Sequence, residues 1–459
     1  MRYKIRIFFA VLLAFASSLT AGGCIQKSSY PASAIKASLL EICRKEYGIE
    51  DIDVKIVEDT LGVYLPLKKL FAADFKEAAV TGKVRNLETL FEPSPEALEK
   101  VEDVLFSISR VILSTDKPFK FYVLQATDIE KTGMQLVLSG YVDDIKRVRV
   151  SDISRTEYRK RVIHELRLNR AVLWHHPVRE FFKDLERLTG GQIQEKYFKG
   201  GISPATLQNL FLNRLRPRQD AAPSYRWEVL EMRSTPIQKS EALVYAHVRA
   251  NPSGDSGGSK SGAGALELKY LFLLSTVEDE AHILRIIPFQ YLNQDGTLQS
   301  IPFPPELQIE RNLDQWEEEF PLQELILGPF LAQQLTRRVQ ALVSTDERIQ
   351  NTFRDIKINF EYHEEKEKSY FSLNLEAALR DFNHYTRRSL VFHEDMLYLL
   401  TLSSREFVDV LRSYKFRDYQ YLRLNVEQDP NYWILGRDNL ELFRRKKMDI
   451  QGMLSLPQI

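Results

Sequence analysis

From Ile356 to His363 apolar and polar residues alternate without a break: Ile356, Ile358, Phe360 and Tyr362 against Lys357, Asn359, Glu361 and His363. After a charged turn the alternation resumes in Phe371, Leu373 and Leu375. Successive strand side chains point to opposite faces, so this pattern predicts a hairpin with one buried face. A lone hairpin is marginal in water, and its apolar face needs a covering layer. An amphipathic stretch over residues 330–353, immediately upstream, predicts the helix that provides it.

The same order, helix and then hairpin, recurs at residues 34–65 and 97–141. No residues align among the three segments beyond the apolar pattern, so the recurrence reads as the routine layout of α+β chains rather than as duplication. The expected fold class is therefore α+β and multi-domain, with helices packed on antiparallel sheets and hairpins. At 459 residues the chain has room for about three domains.

Residues 33–168 make the first expected domain. Ile35, Leu39, Ile42 and Cys43 share one helical face, and Gly48 is its stop. Short alternating runs, Val54 and Ile56, then Leu61, Val63 and Leu65, predict a hairpin. Ser94-Pro95 opens a second helix, strands follow at 119–126 and 134–141, and Ser154 with Glu157 forms a capping box for a helix toward Leu168. Residues 171–328 make the second domain, with helices at 178–188 and 203–215 and strands at 225–232, 242–249, 266–275 and 282–289. A Gly/Ser-rich tract over 251–265 reads as a long hairpin loop. Two helices followed by an antiparallel meander resemble, in element order over 178–292, the nuclear-transport-factor-2-like cone. After the Pro-rich stretch 301–305, residues 329–459 form the third domain, where Ser403 and Glu406 box a helix to Ser413 and a strand follows at 419–426.

The first 23 residues differ from all of this. Arg2, Lys4 and Arg6 precede the apolar run 7–16, which is too short to span a bilayer and reads as a secretion leader. The leader ends Leu19-Thr20-Ala21-Gly22-Gly23-Cys24, which resembles the lipobox of bacterial lipoproteins, with Ala21 where leucine is usual. The resemblance implies cleavage before Cys24 by signal peptidase II, acylation of Cys24, and a lipidated tether over 24–32. Each buried methylene contributes about 0.8 kcal/mol, and two or more chains give stable attachment. Ile25, rather than an aspartate, follows the cysteine, which by the same resemblance favours the outer membrane facing the periplasm. Cys43 then has no cysteine partner and is expected in the core.

Several motifs approach chemistry. Gly254-Asp255-Ser256-Gly257-Gly258 resembles the nucleophile segment of chymotrypsin-like proteases and matches the G-x-S-x-G of α/β-hydrolases. Its surroundings do not: Ser259 replaces the expected proline, a low-complexity tract surrounds it, and His175-His176 lack the family's setting for the base. Residues 254–261 miss the P-loop pattern at Ser259, and His164-Glu165 begins a zincin helix whose second histidine is Leu168. His393-Glu394-Asp395 reads as a solvated loop before it reads as a metal site. The basic run 443–447 reads as a solvated helix end, with phosphate or lipid headgroups as its rival reading.

With 63 basic and 63 acidic residues the chain has no global pull toward nucleic acid. No catalytic residue, metal ligand or cofactor is therefore assigned. The expected function is that of a membrane-anchored envelope lipoprotein, lipidated at Cys24, that binds a protein partner as a scaffold or assembly factor. The alternatives are a periplasmic hydrolase using Ser256 and a lipid or glycan carrier with a pocket in the middle domain.

Overall fold

The computed structural model describes residues 30–72, 92–130, 132–188, 190–198, 225–238, 240–252, 265–277, 280–292, 298–300, 313–366, 368–380, 390–427 and 431–456. Helix α1 (Ile35–Tyr47) buries Ile35, Leu39, Ile42 and Cys43 and stops at Gly48, whose φ of 67° is the left-handed cap that glycine adopts without penalty. Strands β1 (Asp53–Val57) and β2 (Thr60–Leu67) form the expected hairpin. Helix α2 (Pro95–Ser114) starts where Ser94 Oγ accepts from Ala97 N–H at 3.2 Å. Strands β3 (Phe121–Asp128) and β4 (Met134–Tyr141) follow, and β3 runs parallel to β2. Every residue of β3 is buried, as a strand covered on both faces must be.

Helices α3 (Val142–Arg149) and α4 (Arg155–Arg161) come next, and Ser154 caps α4 as expected. The helix expected to reach Leu168 ends at Arg161 instead. Residues 163–168 are strand β5 (Ile163–Leu168), antiparallel to β4 at the sheet edge. The unpaired rim of β4 offers Ile163–Leu168 a hydrogen-bond ladder that no helix ending there has, and tertiary pairing overrides the local pattern.

In the middle region α5 (Ala171–Leu185) and α6 (Gly190–Tyr197) precede a meander of β6 (Tyr225–Gln238), β7 (Glu241–Pro252), β8 (Leu266–Val277) and β9 (Glu280–Pro288). The expected order of helix and then antiparallel meander is present, while the helix expected at 203–215 lies outside the described residues. Phe181 and Phe182 of α5 meet Phe272 edge-on, each at 5.7 Å, above the buried row Ala242, Val244, Ala246 and Val248 of β7. A small hairpin, β10 (Gln290–Leu292) and β11 (Leu298–Ser300), follows, and β12 (Glu317–Glu318) returns to pair with β6.

The helix expected over 330–353 is two: α7 (Leu327–Val343) and α8 (Glu347–Thr352), restarted where Asp346 accepts from Ile349 N–H at 3.0 Å. Strands β13 (Phe353–Glu365) and β14 (Lys368–Leu379) pair in the register the alternation requires, with Ile358 opposite Leu375, Phe360 opposite Leu373 and Tyr362 opposite Phe371. Helix α9 (Glu394–Ser413) begins well before Ser403, so the box at Ser403 and Glu406 is not a helix start. Ser403 Oγ instead bonds the Leu399 carbonyl inside the helix at 2.9 Å. Strands β15 (Tyr421–Val426) and β16 (Tyr432–Gly436), then helices α10 (Arg437–Arg444) and α11 (Ile450–Leu454), are the last elements among the described residues.

The first and last sheets share one plan. In each, a hairpin is followed by a parallel step and a second hairpin, and a 20-residue helix, α2 or α9, spans the step. Each second hairpin runs directly into an eight-residue helix, α3 or α10. Both exits pass through a non-glycine residue in left-handed conformation, Ser151 at φ 61° and Lys446 at φ 58°. A capped helix follows in both: Ser154 Oγ accepts from Glu157 N–H at 3.0 Å and Asp449 Oδ1 from Gly452 N–H at 2.7 Å. Of the three helix-and-hairpin segments, 34–65 and 330–375 hold the same place in the two sheets, whereas 97–141 has its counterpart in α9, β15 and β16, so the repeated unit is larger than one helix and hairpin. What repeats is the position of apolar residues and caps, not residue identity.

Candidate functional site

Among the described residues, Glu319 sits in the densest set of buried polar contacts. Strand β12 pairs with β6 of the middle sheet, and the next residue turns its carboxylate inward, leaving it 7% exposed. Arg179 of α5 grips both oxygens, at 3.1 and 2.6 Å, and the Tyr64 hydroxyl of β2 donates to the same carboxylate. Gln125 of β3 and Asn169 donate to its backbone carbonyl at 2.8 and 3.3 Å. His175, fully buried on α5, places Nδ1 at 3.8 Å. Neighbouring Glu318 pairs with Lys55 of β1 at 3.2 Å and Arg233 of β6 at 2.6 Å. Gly62 of β2 makes room for this segment, since a Cβ there would stand 2.7 Å from Phe320 and 2.5 Å from Leu322.

Burial by itself would push the Glu319 carboxyl up, but the Arg179 guanidinium with its two hydrogen bonds, and the nearby His175 ring, more than reverse it and hold the acid well below the ordinary carboxylate range. Burial, reinforced by the Glu319 charge, drives the Tyr64 hydroxyl well above its usual value. An acid or base catalyst needs a pKa near the working pH and a free lone pair or proton. Glu319 has the opposite properties. It is a clamp, charged at neutral pH, that joins the first sheet to the middle region.

A second buried cluster joins the first unit to the last. Arg161 of α4 donates to Asp144 at 2.8 Å and to Glu157 at 2.9 Å, and its guanidinium lies 4.8 Å from the centre of the Tyr414 ring. Tyr414 donates to Asp144 at 2.6 Å, and Gln334 of α7 donates to both Tyr414 Oη and the Arg161 carbonyl at 2.8 Å. Arg338 of α7 bridges Glu157 and Glu406. Phe121 and Phe330 add an apolar contact with ring centres 5.2 Å apart.

The residues singled out from sequence fall elsewhere. His164 and Glu165 lie on strand β5, not a helix, so the zincin reading has no frame. His393 is a helix cap, its Nδ1 accepting from Asp395 N–H at 3.3 Å, while Glu394 and Asp395 pair with Arg348 at 3.0 and 2.7 Å. Among the described residues no group of three or more metal-ligating side chains converges, and no helix is long and apolar enough to cross a membrane. Cys43 is fully buried, and that burial pushes its thiol pKa up. Cys24 and Ser256 lie outside the described residues. Sequence reading missed Glu319 and Arg179, because an acidic triplet before Phe320-Pro321 and an arginine on a helix look like solvated surface. No signal in the chain pairs them.

No family model, curated protein or solved structure matches this chain.

One open concavity, of about 540 Å³, belongs to neither junction. It lies where α9 meets α10 and the turn into α11, with Val408, Phe443 and Ile450 as its apolar floor and Arg405, Lys446 and Lys447 among its lining residues. Arg444 and Arg445 of the same basic run are engaged by Glu441, at 2.6 and 3.0 Å.

Proposed function

We propose that this chain is a membrane-anchored bacterial envelope lipoprotein, held by acyl chains on Cys24, that acts without chemistry of its own as a binding, scaffolding or assembly protein. The observation that carries the reading is the leader: a charged start, a short apolar run and small residues directly before Cys24. The use to which the fold puts its buried charges supports the non-enzymatic part. Glu319, Arg179, Asp144 and Arg161 are saturated by one another and by tyrosines across the junctions, which suits a body that holds its units in a fixed arrangement. Ile25 after the cysteine favours the periplasmic face of the outer membrane, and the balanced charge favours a protein partner over nucleic acid.

Metabolic labelling with an alkyne fatty acid tests the anchor: the wild type is expected to label and to fractionate with membranes, and Cys24→Ser to do neither. Equal labelling of both refutes it. The hydrolase alternative is tested with an activity-based fluorophosphonate, which is expected to leave the protein unlabelled. Labelling that disappears in Ser256→Ala would replace the scaffold reading with the hydrolase.

A further inference from the structure

We infer that the concavity between α9, α10 and α11 is a binding site for a phosphate-bearing ligand, seated on Arg405, Lys446 and Lys447. Two separate elements deliver these cations. Arg405 projects from the middle of α9, on the face that also carries Thr401 and Val408 of the lining, whereas Lys446 and Lys447 come from the turn after α10. All three are exposed, and none forms an ion pair with another described residue. Cations gathered in one concavity repel one another unless an anion answers them.

The helix end does not account for the cluster. The backbone exit from α10 closes with Lys446 N–H on the Phe443 carbonyl and Lys447 N–H on the Leu442 carbonyl, both at 2.9 Å, with Lys446 left-handed. Such a position is commonly glycine, and a side chain there is held at a cost in backbone strain. The first unit builds the same exit from α3 with Ser151 and Asp152, and there Asp152 is bound by Arg147. Alignment of the two 20-residue helices end to end sets Phe106 of α2 against Arg405 of α9. The same backbone exit therefore forms with Ser151 and Asp152 in place of Lys446 and Lys447, and the macrodipole of the first unit's helix is met by Lys146, Arg147 and Arg149 inside its last turn, as Arg444 does in α10.

The lining also selects the kind of anion. Asp409 and Asp449 belong to it, and Asp449 is already engaged in capping α11, so a ligand must present concentrated charge to the three cations rather than a diffuse acidic surface. A phosphate group does so, with oxygens that take charged hydrogen bonds from arginine and lysine. The apolar floor of Val408, Phe443 and Ile450 accommodates the carbon part of a phosphate ester. A lipid headgroup and a soluble phosphate monoester share this chemistry.

The proposal does not depend on acylation at Cys24, so it is tested on the full chain carrying Cys24→Ser. One arm titrates glycerol phosphate calorimetrically, and the other measures cosedimentation with phosphatidylcholine vesicles with and without phosphatidylglycerol. Near an anionic membrane each cation contributes about fivefold in binding. Replacing Arg405, Lys446 and Lys447 together by Gln is expected to weaken vesicle binding by about a hundredfold and to abolish any calorimetric signal. A control with Lys69, Lys100 and Lys160, exposed elsewhere, replaced by Gln loses the same charge and is expected to bind as the parent does. Circular dichroism and thermal unfolding should match among the three proteins. Saturable binding of glycerol phosphate that the pocket triple loses assigns a soluble ligand. Binding confined to anionic vesicles, and lost in the same triple, assigns a headgroup. No binding in either arm, binding that the pocket triple retains, or an equal loss in the control overturns the site.

Discussion

Removing Arg179 isolates the energetics of the Glu319 clamp. In Arg179→Met the carboxylate keeps the Tyr64 hydroxyl but loses two charged hydrogen bonds, at 3.1 and 2.6 Å, and its only guanidinium contact among the described residues. Breaking one partner of a buried pair costs about 3–5 kcal/mol, because a buried charge is left without compensation. Arg179 keeps 27% of its side chain exposed, so the low end, about 3 kcal/mol, is expected. In the double variant Arg179→Met/Glu319→Leu no charge remains to be compensated, and most of the loss is expected to be recovered. Urea unfolding followed by tryptophan fluorescence reads this directly, since Trp174 lies on α5 beside His175 and Trp316 just before β12. The pH dependence carries a sign of its own. In the wild type the folded pKa of Glu319 is below its unfolded value, so its stabilisation is present above the ordinary carboxylate range and is lost as pH falls through the depressed folded value. In Arg179→Met the main opposition to burial is gone and that pKa rises, so the deficit is largest at neutral pH and shrinks on acidification. A double variant no more stable than the single one, or a deficit that grows with acid, would refute the clamp.

Three further outcomes follow from the packing. Phe360 is 3% exposed and stacks with Phe407, so Phe360→Ala is expected to cost about 3–5 kcal/mol in chemical denaturation, whereas Glu361→Ala on the solvent face changes little. Cys43 is fully buried on the core face of α1, so a bulky maleimide should modify it only after denaturant is added, as intact-mass measurement would show. Burial pushes His164 down to about 4 from its ordinary value near 6.5, with Arg337 adding to the effect. The unfolded chain therefore takes up the proton first, and the stabilisation is complete above about pH 6.5 and lost between there and about 4. His164→Leu is expected to flatten that part of the pH–stability profile, and an unchanged slope would exclude the effect.

Wherever one chain segment carries its own instructions, it was legible. The alternation at residues 356–362 required the β13–β14 register, the helical spacing of Ile35, Leu39, Ile42 and Cys43 placed α1, and the side-chain oxygens of Ser94 and Ser154 marked real helix starts. Ser403 failed as such a mark because the same hydroxyl bonds a carbonyl four residues back when the helix has already begun. Tertiary pairing decided the rest. Residues 163–168 became a strand because β4 had an unpaired rim, and the repeated plan of the first and last units emerged only once strand neighbours were known. Glu319 meets Tyr64 and Arg179 across 255 and 140 residues of chain, and Lys446 shares a concavity with Arg405. Local sequence sets propensity and periodicity, which act over a few residues. The meeting of distant charges follows from how whole layers pack, and no spacing within the chain encodes it.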